Sequence, residues 1–279
     1  MNLSVELKKS QWNLSRSAYE EIGLFPLMHS PGPVLVILAS YLLFVLKLGP
    51  AFMRKREPFK FTSLLAIYNG FQVALSVYLV VIMATCMLKR GFLPKVCLMH
   101  QETARYEILA IIWWYFAAKV SELLDTVFFV LRKKYSQVTF LHLYHHSIMM
   151  IGTWAMLKYS PTQTVLFVGI TNSMVHIVMY TYYGLASFGT RFQRYLRWKK
   201  YITTMQLIQF VSQIFGFAYA IKTCDCPPTK GLSVFIALNV FAFLLLFLNF
   251  YKQTYKNGKT QMTNGTLLSD HPVQHEKLH

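Results

Sequence analysis

Three histidines lie close together in a strongly apolar part of the chain. His142, His145 and His146 fall within the segment FLHLYHHSIMM, residues 140–150. The spacing i, i+3, i+4 places their imidazoles on one face of a helix. A neutral imidazole can attack an activated acyl group or ligate a metal. Because polar groups at membrane depth are costly and usually mark function, the cluster predicts a functional site.

The composition indicates a membrane protein. Of 279 residues, 54% are hydrophobic and only 14% are charged, whereas a soluble domain carries about 25% charged residues. The net charge of +17 could suggest nucleic acid as a partner in a soluble protein. Here it is better explained by basic loops on the cytoplasmic side of a membrane, as the positive-inside rule requires. Nucleic-acid binding is therefore not expected.

The hydrophobic pattern predicts an all-α polytopic membrane protein. A membrane-spanning helix needs about 20 apolar residues, and the chain offers seven such segments. The predicted spans are 33–50, 61–88, 107–131, 138–157, 163–186, 201–221 and 231–251. We expect a luminal N-terminal segment (1–32), a seven-helix transmembrane domain (33–252) and a flexible cytoplasmic tail (253–279).

The orientation follows from the charges of the loops, because basic residues are enriched on the cytoplasmic side. They are more frequent in loops 51–60, 132–137 and 187–200 and in the tail than on the opposite side. The tail is therefore predicted to be cytoplasmic and the N-terminus luminal. On the luminal side, Asn13 begins a glycosylation sequon. Cys97, Cys224 and Cys226 also fall there, and a disulfide from Cys97 to Cys226 or Cys224 is predicted.

Four of the predicted spans carry polar residues at matching depth. From a rise of about 1.5 Å per residue, Glu122, His145 and His176 lie roughly 6–15 Å inside the cytoplasmic face. The layer contains Lys119, Glu122 and Asp125, the three clustered histidines, Asn172, His176, Tyr180 and Tyr183, and Thr203, Gln206 and Gln209. Scattered structural residues would not be expected to match in depth. The layer therefore predicts one intramembrane polar pocket that opens toward the cytosol.

Two chemistries fit such a pocket. Clustered histidines can hold iron, as in membrane oxygenases. Only four of the nine histidines reach the pocket, which is too few for two iron ions but leaves one metal ion possible. Alternatively, a histidine acts as a nucleophile and is oriented by Glu122 or Asp125. A seven-span receptor or transporter has no need for three histidines beside an acidic helix, and that class is disfavoured.

Four motifs carry a resemblance to a known family. KVSELLDT, FLHLYHH, NSMVHIVMYTYYG and TTMQLIQF occur in this order. In order and spacing they resemble the motifs of the very-long-chain fatty acid elongases, the condensing 3-oxoacyl-CoA synthases of the endoplasmic reticulum. The resemblance implies condensation of a long-chain acyl-CoA with malonyl-CoA to give 3-oxoacyl-CoA, CO2 and CoA, with no metal or redox cofactor. It also implies seven helices, six of them forming a bundle or barrel around an enclosed acyl tunnel.

The resemblance also implies roles for residues. His145 is the expected nucleophile that forms an acyl-histidine, with His176 close beside it and with His142 and His146 completing the catalytic box. The other residues expected in the catalytic site are Lys119, Glu122, Asp125 and Asn172. The expected substrate-binding residues are Tyr180, Tyr183, Thr203, Gln206 and Gln209 in the pocket. At the mouth of the pocket, cationic side chains can bind CoA phosphates. The basic residues expected there are Arg132, Lys133, Lys134, Lys199, Lys200, Lys252 and Lys256.

The family further implies reductase and dehydratase partners and a homodimer. The chain departs from its relatives after the histidine cluster, where it reads IGTWAMLKYSPTQT and they carry more tryptophan and a Gly-Gly pair. That region can shape the tunnel, so it bears on the preferred acyl chain length. The tail ends in QHEKLH without a dilysine signal. Residence in the endoplasmic reticulum is therefore expected to rest on other determinants.

Overall fold

The computed structural model describes residues 16–92, 95–189, 192, 198–225 and 229–257. Within these residues every regular element is helical, in agreement with the predicted all-α class. The main helices are α1 (Gly32–Met53, π-helical at Phe44–Leu48), α2 (Thr62–Arg90), α3 (Glu102–Ser121), α4 (Leu124–Leu131), α5 (Phe140–Tyr159), α6 (Thr164–Ser187), α7 (Lys199–Thr223) and α8 (Lys230–Tyr251). Short 3-10 helices lie at Glu20–Leu24, Leu98–His100 and Tyr135–Gln137, and α8 continues as a π-helix at Lys252–Asn257.

Five of the described helices are long and apolar enough to cross a membrane, namely α1, α2, α6, α7 and α8. The other two predicted spans correspond to α3 with α4 and to α5. These helices are less apolar because they carry much of the predicted site: Lys119 lies in α3 and the histidine cluster lies in α5. Length and composition therefore support five spans in the described part of the chain, and the count of seven stays a prediction.

The third predicted span, 107–131, is not one continuous helix. It is interrupted at Glu122 and Leu123, between α3 and α4. The Leu123 amide donates to the Val120 carbonyl (3.3 Å), and the Asp125 amide also donates three residues back (3.1 Å). The chain thus makes a turn that is tighter than an α-helix. The predicted span 107–131 therefore contains a turn, which neither glycine nor proline marks in the sequence.

Six helices form a closed ring. α2 packs along α6, α6 against α7, α7 against α8, α8 against α5, α5 against α3, and α3 against α2. α1 lies outside this ring and packs on α4. The α2–α6 contact is close at Gly169, where an added Cβ would lie 2.5 Å from Met83 Cε. The interior of the ring is therefore the place where side chains from helices distant in sequence meet.

Three connections are held together at one end of the ring. Cys97 is disulfide-bonded, and Cys226, one of its two predicted partners, lies outside the described residues, so the pairing stays a prediction. Gln163 in the α5–α6 turn accepts from the Leu98 amide (2.8 Å) and donates to Cys224 Sγ (3.4 Å). The α2–α3, α5–α6 and α7–α8 connections thus meet. We call this the disulfide end.

The opposite end carries basic residues. Arg132, Lys133 and Lys134 follow α4 directly, and Lys199 and Lys200 begin α7. We call it the basic end, and it corresponds to the predicted cytoplasmic face. Residues 1–15, with the predicted glycosylation site at Asn13, and residues 258–279 lie outside the described part of the chain. The orientation in the membrane and the division of the chain into three segments stay predictions.

The segment before α1 is tied to α3 and α5 at the disulfide end. Lys158 of α5 is fully buried, and its ammonium group donates to the carbonyls of Met28 (2.7 Å) and His29 (3.2 Å). Arg105 of α3 forms an ion pair with Glu21 (2.7 Å). The Arg105 hydrogen bond lowers the pKa of the Glu21 carboxyl. These contacts make the segment part of the helical domain.

Gly49→Ala is expected to destabilise the packing of α1 on α4. A Cβ at this position would lie 2.6 Å from Val130 Cγ1 and 2.9 Å from the Phe44 carbonyl oxygen. Overpacking of this kind costs about 1–3 kcal/mol. Gly70→Ala is the control, because a Cβ there meets nothing within 4 Å and alanine favours a helix. Thermal unfolding in detergent compares the two variants, and equal midpoints would contradict the described packing.

Candidate active site

The centre of the site is an ion pair at the turn between α3 and α4. Lys119 Nζ lies 2.7 Å from Glu122 Oε1, and the two side chains are 2% and 3% exposed. Removing a charge from water costs several kcal/mol, and only a close partner offsets that cost. The sequence supplies the two residues at i, i+3, which brings their side chains to the same face.

His176 of α6 joins this pair. Its Nδ1 lies 3.1 Å from Glu122 Oε1, and its Nε2 lies 3.3 Å from Asn172 Nδ2. An amide nitrogen can only donate, so His176 Nε2 accepts and Nδ1 carries the proton that is donated to Glu122. Both ring nitrogens are therefore engaged, in the tautomer of a neutral imidazole.

Asn172 connects His176 to α3. Its Oδ1 accepts from Lys119 Nζ (2.7 Å) and from the Tyr115 hydroxyl (3.0 Å). The Lys119 ammonium also lies over the Tyr115 ring, 4.9 Å from its centroid. We call the four side chains of Lys119, Glu122, Asn172 and His176 the polar network. Tyr115 was missed in the sequence, although it lies four residues before Lys119 and therefore shares its helix face.

The histidines of the HLYHH motif have different surroundings. His142 Nε2 is 2.8 Å from Thr126 Oγ1, which in turn is 2.8 Å from the hydroxyl of Tyr41 in α1. Its ring lies 4.3 Å from the ring of His146, centroid to centroid. A side chain from outside the ring of helices thus holds His142 in position. The contribution of Tyr41 was missed, because it depends on the packing of α1 against α4.

His145 faces the interior of the helix ring. It lines a cavity of about 110 Å³ together with Asn172 and Gln209, and most of the other lining residues are apolar. Its imidazole lies 5.1 Å from the ring of Phe243 in α8. Among the described residues it finds no hydrogen-bond partner, in contrast to His142 and His176. Asn172 borders this cavity and bonds to His176, which connects His145 to the polar network.

Asp125 forms a second polar contact, on the side of α2. Its Oδ2 accepts from the Tyr180 hydroxyl (2.7 Å). Nearby, Gln72 of α2 donates to Ser121 Oγ (2.9 Å), and the Tyr68 hydroxyl donates to the Ser121 carbonyl (3.2 Å). The residues of α2 were not among the predicted site residues. Tyr68, Gln72 and Ser76 are spaced i, i+4, i+8 in an apolar span, a polar stripe that could have indicated them.

The remaining predicted substrate-binding residues are more scattered. Gln209 lines the cavity, and Thr203 is buried. Gln206 contacts Met179 Sδ at 3.9 Å and is absent from the cavity wall, and Tyr183 is 39% exposed. Among the predicted basic residues of the mouth, Arg132, Lys133 and Lys134 are partly exposed, Lys199, Lys200 and Lys252 are exposed, and the side chain of Lys256 lies outside the described part of the chain.

Within the described ranges, no group of three or more His, Cys, Asp or Glu side chains is arranged to hold a metal ion. The rings of the close histidines instead pack against one another, edge to face for His145 and His146 (5.5 Å between centroids) and tilted for His142 and His146 (4.3 Å). The expectation that the reaction needs no metal or redox cofactor stays a prediction.

The fold and the site define an all-helical membrane protein with a buried site of histidine, acid and amide groups beside an apolar cavity. The family model described as "ELO: GNS1/SUR4 family" matches residues 26–263. The chain belongs to this family.

Several known elongases are similar over most of the chain. Very long chain fatty acid elongase 4 of Homo sapiens is 39% identical over 271 residues, which cover 96% of this chain and 85% of the relative. Very long chain fatty acid elongase 7 of Rattus norvegicus is 38% identical over 265 residues (93% and 94%). Elongase 7 of Drosophila melanogaster is 40% identical over 244 residues (84% and 73%). These relatives confirm the resemblance found in the motifs and support a role in fatty acid elongation.

Glu122→Gln is expected to destabilise the protein by about 3–5 kcal/mol, because it leaves the Lys119 ammonium buried without an anion. The double variant Lys119→Met/Glu122→Gln removes both charges and is expected to lose less stability than the single variant. Glu107→Gln is the control, since its pair with Arg90 is 23–32% exposed and such pairs contribute about 0–1 kcal/mol. Thermal unfolding in detergent measures all three. A single variant as stable as the control would contradict the role of the buried pair.

Proposed function

We propose that this protein condenses a long-chain or very-long-chain acyl-CoA with malonyl-CoA, the first step of fatty acid elongation, through an acyl-histidine. The observation that carries the proposal is the position of His145, which borders an apolar cavity beside the polar network and has no hydrogen-bond partner among the described residues. An imidazole lone pair without such a partner is available for attack on a thioester.

In the first half-reaction, a ring nitrogen of His145 attacks the thioester carbonyl of the acyl-CoA. A C–N bond forms, the C–S bond breaks, and the imidazole proton leaves with the CoA thiolate as free CoA. The acyl chain remains on His145, inside the cavity. Exclusion of water from an apolar cavity would protect the acyl-histidine from hydrolysis.

In the second half-reaction, malonyl-CoA loses its carboxylate as CO2, and the electron pair of that C–C bond forms an enolate. The enolate carbon attacks the acyl carbonyl, the new C–C bond forms, and the C–N bond to His145 breaks. The released imidazole takes up a proton from solvent. The Lys119 ammonium is held next to Asn172 of the cavity wall, and its positive charge is suited to favour the negative charge of the enolate electrostatically.

Several further expectations belong to the same proposal. The ring of six helices and α1 together make seven spans, and the cavity is the acyl tunnel. The basic end faces the cytosol, where its lysines and arginines can bind CoA phosphates. Two observations support this arrangement: the cavity is mainly apolar, and the exposed basic side chains lie at the end where α5 begins, near His145. We further propose that the protein resides in the endoplasmic reticulum, forms a homodimer and works with partner enzymes of the elongation cycle.

His145→Ala is expected to reduce condensation by roughly a thousandfold or more, as for loss of a nucleophile. Incorporation of radiolabelled malonyl-CoA into acyl-CoA products measures the reaction. His29→Ala is the matched control, since that side chain is exposed and lies before α1. Incubation with acyl-CoA alone should add one acyl mass to the intact wild-type protein and none to His145→Ala. Near-normal turnover of His145→Ala would reject the assignment.

Metal removal separates this chemistry from a histidine-ligated iron oxygenase. We expect malonyl-dependent turnover to be unchanged after treatment with a chelator, because each step above uses only protein side chains. Metal analysis of the purified protein accompanies the assay. Stoichiometric iron together with chelator-sensitive turnover would favour the oxygenase.

A further inference from the structure

Most polar side chains that border the cavity beside His145 already have hydrogen-bond partners within the protein. Those with a partner are Tyr115, Thr153, Thr162, Thr164, Asn172, Gln213 and Asn239. Two polar side chains of the wall remain, those of His145 and Gln209. Neither of them has a hydrogen-bond partner among the described residues. The cavity therefore contains the proposed nucleophile and one amide that the protein itself does not use.

Gln209 is buried, with 6% of its surface exposed. An amide that is removed from water and left unpaired is costly, so its polar atoms need a partner from the space that they border. The side chain offers two N–H donors and one carbonyl acceptor. Gln209 is thus arranged to bind a polar group that enters the cavity, in a wall that is otherwise mainly apolar.

Contacts between α6 and α7 fix the level of Gln209 within the ring of helices. Gln206 contacts Met179 Sδ at 3.9 Å. Gln213, further along α7, donates to Thr171 Oγ1, which lies earlier on α6 (3.3 Å). The two helices therefore run antiparallel, and Gln209 lies between these two contacts. It is level with the part of α6 that contributes to the polar network.

The packing on α8 gives the same level for His145. Phe210 follows Gln209 directly, and its ring lies 6.0 Å from the ring of Phe243, centroid to centroid. Phe243 in turn lies 5.1 Å from the imidazole of His145. One side chain of α8 thus contacts both neighbouring helices at the level of the nucleophile. His145 on α5 and Gln209 on α7 therefore border the cavity at the same depth.

A donor at this level matches the place where charge develops during acyl transfer. When an imidazole attacks a thioester, the carbonyl carbon becomes tetrahedral and its oxygen gains negative charge. N–H groups that are already directed at this oxygen stabilise it best where water is excluded. Within the described part of the cavity wall, Gln209 is the amide with no N–H group bound by another atom of the protein.

We propose that Gln209 donates a hydrogen bond to the acyl carbonyl oxygen in the transition states of both half-reactions. The inference rests on the proposed condensation at His145 and adds a catalytic residue to it. In the first half-reaction, the C=O electron pair moves onto this oxygen as the C–N bond forms and returns as the C–S bond breaks. In the second, it moves again as the enolate carbon adds and returns as the C–N bond breaks. Gln209 keeps its protons throughout.

Gln209→Met removes the donor and keeps a side chain of similar length. We expect malonyl-dependent turnover to fall roughly a hundredfold to a thousandfold, as for the loss of one oxyanion donor. The KM for acyl-CoA should stay within about twofold, because the bond strengthens only in the transition state. The rate at which acyl-CoA alone adds an acyl mass to the protein should fall as well, since the same oxygen is charged in that step.

An alkyl-CoA thioether separates this role from a change in the shape of the cavity. It lacks the carbonyl oxygen and cannot acylate His145, so we expect its inhibition constants for the wild type and for Gln209→Met to agree within about twofold. Gln253→Met is the matched control, because it makes the same substitution at an exposed side chain in the continuation of α8. It is expected to keep the turnover of the wild type.

Thermal unfolding in detergent tests whether each variant keeps the fold. If Gln209→Met does not fold, Gln209→Asn takes its place: it withdraws the amide by one methylene and is expected to lose roughly tenfold or more in turnover. Turnover of the folded variant close to that of the wild type would overturn the inference. A raised KM with unchanged kcat, or equally weakened inhibition by the thioether, would also overturn it. Wild-type protein without malonyl-dependent condensation would instead overturn the proposed function.

Discussion

The Glu122 oxygen Oε1 accepts from two donors, Lys119 Nζ at 2.7 Å and His176 Nδ1 at 3.1 Å. A carboxylate buried among helices is tolerable only if nearby cations and N–H groups replace the water it has lost. Once Glu122 is fixed in this way, Lys119 is fixed as well, and its ammonium group holds Asn172. The positions of Lys119 on α3 and of Asn172 and His176 on α6 therefore depend on the buried charge of Glu122. The turn at Glu122 and Leu123 places that carboxylate between the two helices.

The four histidines of the site differ in their hydrogen-bond partners and in whether they border the cavity. His176 is engaged at both nitrogens, and His142 is held through Thr126 by Tyr41 of α1. Among these four, only His145 borders the cavity, which is why the proposed function assigns the nucleophilic attack to it. The closed ring of six helices then contains two environments, with the polar network nearer the basic end and the mainly apolar cavity reaching Thr162 and Thr164 at the disulfide end.

Much of this could be predicted from the sequence. The helical class follows from long apolar segments, and the i, i+3, i+4 spacing of His142, His145 and His146 placed them together before any packing was known. Matching depth correctly grouped Lys119 and Glu122 with Asn172 and His176, because depth in a bilayer is fixed by position along a helix. The resemblance of four motifs to the elongases was confirmed by the family to which the chain belongs.

Other features depended on the tertiary structure. Helical periodicity shows which residues share a face, but it does not show which helix lies opposite that face. The contacts of Tyr41 with Thr126, of Gln72 with Ser121 and of Tyr180 with Asp125 join residues that are 49 to 85 positions apart. The break in the third span has no glycine or proline to mark it. The sequence thus determined the chemical groups and their positions along the helices. The packing of helices around the ring decided which histidine borders the cavity, because that choice depends on contacts between distant parts of the chain.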